Sequence, residues 1–308
     1  MGDTNADTNG DASDPNIPNG PDTVIDAHVH VVSPDTRRYP LDAGTGDGTD
    51  YWSDGGCSAP EVLRAQAAAG VSRTVLVQGV GAYGYDCRYL LDAAARDPER
   101  TSAVVAVDMA DPVAAARGLR GHANESFVTG VRLFAVSGGP QAPDPTWLTD
   151  DASQAVWDVA AETGLTVVLT AFTRQLPLLR PHIQARPALR VALDHCGFPD
   201  PRSRQAGRAP VRALADLANL HVKVTTHLLT AAEAAGEDPA DVVDDLAAAF
   251  GEHRLTWGSD HPQTRTPNYP GMLALARRAI RRRDAPARAA VLGGTARRLW
   301  FTRDGRTG

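Results

Sequence analysis

Val24-Ile25-Asp26-Ala27-His28-Val29-His30-Val31 is the stretch on which the fold turns. It reads as a buried strand: mostly β-branched or small residues, interrupted by three polar ones. Strand side chains alternate faces, so Asp26, His28 and His30 are expected to point the same way. The two imidazoles would then stand side by side, about 7 Å apart by strand rise. Such a pair can bind a divalent metal or orient a substrate. His-x-His is not specific by itself. Its place at the end of a first strand, ahead of a long series of similar runs, gives it weight.

Working outward, seven more apolar, β-rich runs succeed it: 73–78, 102–108, 129–134, 165–170, 190–195, 221–226 and 254–260. Helix-like, Ala/Leu/Arg-rich stretches separate them, at 59–69, 87–96, 112–123, 151–163, 176–184, 209–219 and 238–250. Another, at 269–283, comes after the eighth run. Strand–helix alternation predicts a parallel sheet, and eight repeats predict a closed (β/α)8 barrel, the TIM-barrel architecture. An open doubly wound sheet is the structural rival.

Bulk properties narrow the function. The chain has 308 residues and a formal net charge of -6, so nucleic acid and anionic membrane are poor partners. No apolar run reaches membrane-spanning length. The three cysteines, Cys57, Cys87 and Cys196, form no CxxC pair, which suits a reducing cytoplasm and argues against a Cys-rich zinc site. Residues 1–22 lack Lys and Arg and an apolar core, so they read as a disordered tail rather than a signal peptide. Residues 23–308 read as one barrel domain.

A barrel of this kind builds its site where the strands end at the carboxyl side. Strand one ends in His28 and His30, and strand two in Gln78. Strand four carries Arg132, and strand six ends in Asp194-His195. Strand seven carries Lys223 and Thr225, and strand eight ends in Gly258-Ser259-Asp260-His261. These residues are distant in sequence but would converge on one mouth.

Three motifs among these strand ends resemble the amidohydrolase-related family (amidohydrolase family 2). They are Val24-Ile-Asp-Ala-His-Val-His30, Leu193-Asp-His-Cys-Gly-Phe-Pro-Asp200 and Trp257-Gly-Ser-Asp-His-Pro262. Val75-Leu-Val-Gln78, Gly130-Val-Arg132 and Leu292-Gly-Gly-Thr-Ala-Arg-Arg-Leu-Trp300 add to the likeness, which spans roughly residues 23–301. The branch it resembles most is the lactonases, such as 2-pyrone-4,6-dicarboxylate lactonase. The resemblance implies a central cluster of His28, His30, His195 and Asp260. In metal-using members the strand-one pair and the final Asp hold a divalent ion, usually with a His from strand five. Here strand five ends at Thr170 without a histidine. The leading expectation is therefore a lactonase that requires no cofactor. The alternative is one divalent metal such as zinc or manganese, held by His28, His30 and Asp260 with His195 as a fourth ligand.

In the leading reading Asp260 activates water, and His28, His30 and His195 donate hydrogen bonds to the carbonyl of a small cyclic ester. Gln78, Tyr83, Arg132, Lys223 and His261 are expected to bind substrate, with Arg132 suited to a substrate carboxylate. A metal-dependent amidohydrolase or decarboxylase using the same cluster is one alternative. A non-catalytic small-molecule-binding relative is another.

Each residue also has a plainer reading: Asp260 as a helix cap, His195 satisfying a backbone carbonyl, Arg132 or Lys223 in structural ion pairs. His122, His182, His221 and His253 fall at helix ends or strand starts and are expected at the surface or the stability face. His227 and His261 lie just past strand ends and stay open. Gly79-Val-Gly81-Ala-Tyr-Gly84, with Asp108 at the end of the next strand, matches a dinucleotide-binding pattern but fits a glycine-rich loop at the barrel mouth better. The long insertions 33–58, 137–150 and 200–209 are expected to form a rim, with Tyr39, Tyr51 and Trp52 as apolar walls.

Overall fold

The computed structural model describes residues 23–42, 57–136 and 139–302. The expected tail at 1–22 lies outside the described residues, as do Tyr51 and Trp52. Eight parallel strands pair in chain order: β1 (Val24–Val29), β2 (Val71–Val77), β3 (Thr101–Ala106), β4 (Val128–Phe134), β5 (Thr166–Thr170), β6 (Val191–Leu193), β7 (Leu220–Thr225) and β8 (Leu255–Gly258). Parallel neighbours need crossovers. The longer helices are α1 (Ala59–Ala68), α2 (Arg88–Ala94), α3 (Pro112–His122), α4 (Gln154–Thr163), α5 (Leu176–Gln184), α6 (Thr226–Ala234), α7 (Pro239–Phe250), α8 (Tyr269–Ala279) and α9 (Thr295–Trp300).

The ring closes just beyond β8. Asp260 N–H donates to His28 O at 2.8 Å, and His30 N–H donates to His261 O at 2.8 Å. Val29 and His261 form a parallel bridge there. The seam is tight because residue 258 is glycine: a Cβ on Gly258 would lie 2.6 Å from His28 Cβ and 2.9 Å from His28 N. The fold is a (β/α)8 barrel.

β1 departs from the expected alternation. Its register with β2 slips between Asp26 and Val29. A bulge of this kind changes which face later side chains take. Asp26 therefore turns to the helix layer, where Tyr269 of α8 donates to it at 2.6 Å and Gln66 of α1 at 3.4 Å. Its other oxygen accepts His28 N–H at 3.1 Å and Ser259 N–H at 2.8 Å, which pins the bulge against the seam. His28 and His30 turn inward, away from Asp26.

The barrel interior is packed, not hollow. Ile25, Ala27, Val75, Val77, Val104, Val168 and Ala192 cluster with Ala296, Leu299 and Trp300 of α9. That last helix plugs the amino end of the barrel. Thr166 Oγ1 donates to Leu299 O at 2.7 Å, and the preceding Gly293 passes so close to Thr23 that a Cβ would sit 1.9 Å from its carbonyl oxygen. The carboxyl end is left as the open mouth.

Two helices differ from expectation. Within the expected helix at 209–219 only Ala209–Arg212 is α-helical, after a separate short helix at Arg204–Gly207. The chain onward to Leu217 makes i→i−3 turns, such as Leu214 N–H to Val211 O, because Pro210 limits the start and β7 begins soon after. Conversely, α6 falls outside the expected helices, although Leu228-Leu-Thr-Ala-Ala-Glu-Ala234 is rich in helix formers.

Candidate active site

Three imidazoles and one carboxylate meet at the mouth. His28 and His30 project from the end of β1, His195 from the turn after β6, and Asp260 from the turn after β8. His28 Nε2 and His30 Nε2 are 3.2 Å apart. Asp260 Oδ1 lies 3.6 Å from His28 Nε2, 3.7 Å from His30 Nε2 and 4.0 Å from His195 Nε2. All four side chains are buried. His195 and Asp260 both adopt left-handed backbone, at φ 52° and 60°. Non-glycine residues pay about 1–2 kcal/mol for that conformation, which the surrounding fold must offset.

The partners behind each ring fix the atoms that face the mouth. His30 Nδ1 donates to Val77 O at 2.8 Å, and a carbonyl can only accept. His28 Nδ1 lies 3.1 Å from Asp194 Oδ1 and 3.2 Å from Lys223 Nζ. His195 Nδ1 meets Thr225 Oγ1 at 2.9 Å. Burial, the largest influence, lowers His28 to about 4 and holds His30 and His195 well below the usual imidazole range, so all three are neutral. His30, whose Nδ1 proton is given to Val77 O, presents a bare Nε2 lone pair, and the His28 Nε2 3.2 Å away is placed to share a cation with it.

This overturns the expectation that no cofactor is required. The donor set fits a divalent ion: four ligands with bonds of about 2.0–2.2 Å stand roughly 3.3–3.6 Å apart. His28, His30 and Asp260 form a group of ligand atoms within 4.8 Å of one another. Each histidine also has the outer partner that metal-binding imidazoles use. The missing strand-five histidine leaves no gap. Thr170 instead donates to Asp194 Oδ2 at 2.7 Å, and His195 brings the third Nε2.

Comparison with known proteins agrees with this architecture. The amidohydrolase family profile matches residues 25–302. The chain belongs to the amidohydrolase family. An L-fucono-1,5-lactonase from Burkholderia ambifaria is 30% identical over 284 residues, covering 88% of this chain and 93% of that protein. An amidohydrolase from Burkholderia multivorans, solved with bound zinc, superposes with a TM-score of 0.74 at 24% identity, covering 91% of this chain and 100% of that one. A probable 2-pyrone-4,6-dicarboxylic acid hydrolase from Acinetobacter baumannii, with citric acid bound, has a TM-score of 0.70 at 19% identity over 91% of this chain and all of that one. The zinc seen in the Burkholderia multivorans protein accords with the donor set found in this amidohydrolase.

The other expected site residues of this amidohydrolase are mostly occupied within the protein. Arg132 Nε donates to Thr170 Oγ1 at 2.7 Å and to Asp194 Oδ2 at 3.2 Å, and its Nη1 to Gln78 O at 3.0 Å. Lys223, fully buried, pairs with Asp194 Oδ1 at 3.0 Å, its Nζ 5.0 Å from the Trp300 ring centre. Asp194 thus gathers two cations, Thr170 and His28, and those charges hold its carboxyl far below the usual range despite burial. Gln78 Nε2 donates to Gly84 O and Asp86 O at 3.0 and 3.1 Å, tying down the turn that holds Gly79–Gly84. Tyr83 accepts Ser33 N–H at 2.8 Å, and burial pushes its hydroxyl up to about 12. His261 closes the seam through its backbone and sets its ring edge-on to Tyr269, centroids 5.7 Å apart. Tyr39 is buried and bonded to Asp92.

His182, expected at the surface or the stability face, is buried and stacked on Trp157 at 5.3 Å. His227 sits at the mouth, its ring 5.8 Å from that of His195. Among the described residues no helix is long and apolar enough to cross a membrane. The three cysteines are buried and none is in a disulfide among the described residues.

Proposed function

We propose that this enzyme adds water to a small lactone and opens its ring, at a site where His28, His30, His195 and Asp260 hold one divalent ion. The name of the Burkholderia ambifaria relative supports the substrate class. The observation that carries the chemistry is Asp260 Oδ1 facing three imidazole Nε2 atoms at 3.6–4.0 Å. When bound, the ion supplies Lewis acidity, which favours both loss of a proton from water and charge on a carbonyl oxygen.

Asp260 does the proton work. Its carboxylate takes a proton from water, and the water oxygen bonds to the lactone carbonyl carbon. The bond from that carbon to the ring oxygen then breaks. The ring oxygen leaves with the electron pair and takes the proton back from Asp260, giving a hydroxy acid. Thr264 Oγ1 donates to Asp260 Oδ2 at 2.9 Å and fixes the plane of the carboxylate during both transfers. Arg132 and Lys223 hold Asp194, and through it His28, so they serve the frame and not a substrate carboxylate. An uncharged ring is the better fit.

Metal analysis and a lactone panel test this. The expected result is about one zinc or manganese per chain, loss of turnover on chelation, and restoration by the same metal. Asp260→Asn is expected to lower kcat by about 10²–10⁴-fold. Full turnover by chelated, metal-free protein would refute the metal reading. No turnover of any lactone by metal-replete protein would refute the substrate class.

A further inference from the structure

His227 has no part in the chemistry described above, yet it faces the place where that chemistry happens. It sits in the first turn of α6, directly after β7, with an exposed ring. That ring meets His195 at 5.8 Å and Phe198 at 5.8 Å, edge-on to both. No hydrogen bond to either ring nitrogen is found among the described residues. One nitrogen of a neutral imidazole donates and the other accepts, so two unmet valences point at whatever enters beside it.

A cleft of about 700 Å3 opens there, between α6 and the segment leading into α8. Its size falls in the range of small-molecule sites. Thr230 and Ala231 line one wall, Thr266 and Pro267 the other. The second wall starts two residues after Thr264, which holds Asp260, and the first starts at His227, whose ring meets His195. Glu233 and Arg278, also in the lining, pair with each other at 2.9 Å and cancel. The remaining lining residues carry hydroxyls, methyls and one imidazole. Such a wall suits a chain of alternating C–H and O–H groups and offers no net charge to an anionic arm.

We propose that His227 and this cleft form the subsite that binds the hydroxylated arm of the lactone, with His227 as the specificity residue. The proposal rests on the lactonase reading for its catalytic arm alone. Binding itself can be measured without turnover.

The test compares kcat/KM for glucono-1,5-lactone with that for δ-valerolactone, a bare ring of the same size. The protein carries metal, in wild-type form and as His227→Ala and Ala231→Phe, the second keeping the imidazole and filling the cleft one helical turn away from it. In parallel, calorimetry measures binding of sodium gluconate to the same three proteins. Wild type is expected to prefer the hydroxylated lactone. Each variant is expected to cut that preference about tenfold, mainly through KM, and to weaken gluconate binding by a similar factor. An unchanged preference and unchanged gluconate affinity in both variants would overturn the proposal, as would a wild type with no preference. If no lactone turns over, the function above fails and gluconate binding alone decides: weakening in both variants keeps the subsite, and no binding removes it. Circular dichroism melts confirm that the variants fold.

Discussion

Asp260 carries two demands that pull on one proton. Burial, the largest influence, raises it to about 8, with Asp194 and Asp26 pushing the same way and Thr264 and Arg132 opposing them. Ion-free protein near neutrality therefore keeps this carboxyl protonated, while the three histidines stay neutral. A cation must displace that proton to bind. Zinc binding is thus expected to release about one proton per site at about pH 5.5, below the range in which ion-bound water ionises. Calorimetry in buffers of different ionisation enthalpy reads that number, and Asp260→Asn should abolish the release. Release of two or more protons would place a charged histidine in the cluster. At this scale the sequence was informative about identity and silent about orientation. His28, His30, His195 and Asp260 announced themselves at strand ends. Which nitrogen of each ring faces the mouth depends on Val77 O, Asp194 and Thr225, partners that only folding brings alongside.

Strand β1 shows what a periodic pattern can and cannot tell. Its composition marked it as a buried strand, but strict alternation put Asp26 on the same face as the histidines. One slip of register against β2 moved Asp26 to the helix layer. The signal for the slip lies outside the strand, in Ser259, Tyr269 and Gln66, which give the Asp26 carboxylate its partners. β7 allows a test of how burial couples to pH. At its start His221 Nδ1 lies 3.2 Å from both Val191 O and Asn219 O, and burial lowers its pKa from 6.5 to about 4. Below pH 6.5 the unfolded chain takes up a proton that the folded chain refuses. This residue's contribution is therefore full above that pH, and is lost progressively as pH falls towards 4. His221→Gln is expected to narrow the gap between melting temperatures measured at about pH 7 and about pH 4.5. An unchanged gap would show that the strand accommodates the charged ring.

The whole molecule is a barrel with one end stoppered and the other chemically active. Eight repeats of strand and helix were legible in the sequence because each run is apolar, short and bounded by helix formers. The stopper was not, since Leu292–Trp300 carries no barrel pattern and its role appears only in contact with Gly130, Thr166 and Lys223. Trp300→Ala is expected to cost about 3–5 kcal/mol by emptying the interior beneath Lys223. Denaturant unfolding measures the loss, and metal stoichiometry should survive it because no ligand touches that ring. A loss below about 1 kcal/mol would mean that α9 covers the barrel without supporting it.

The seam between β8 and β1 has a consequence for biosynthesis. His28 and His30 belong to the first strand made and Asp260 to the last. A chain still on the ribosome, or one cut before β8, displays two imidazoles without the carboxylate that faces them. Such a chain lacks the full donor set of the proposed ion site. On that proposal, ion retention and catalytic competence are expected to begin together, when the last strand docks.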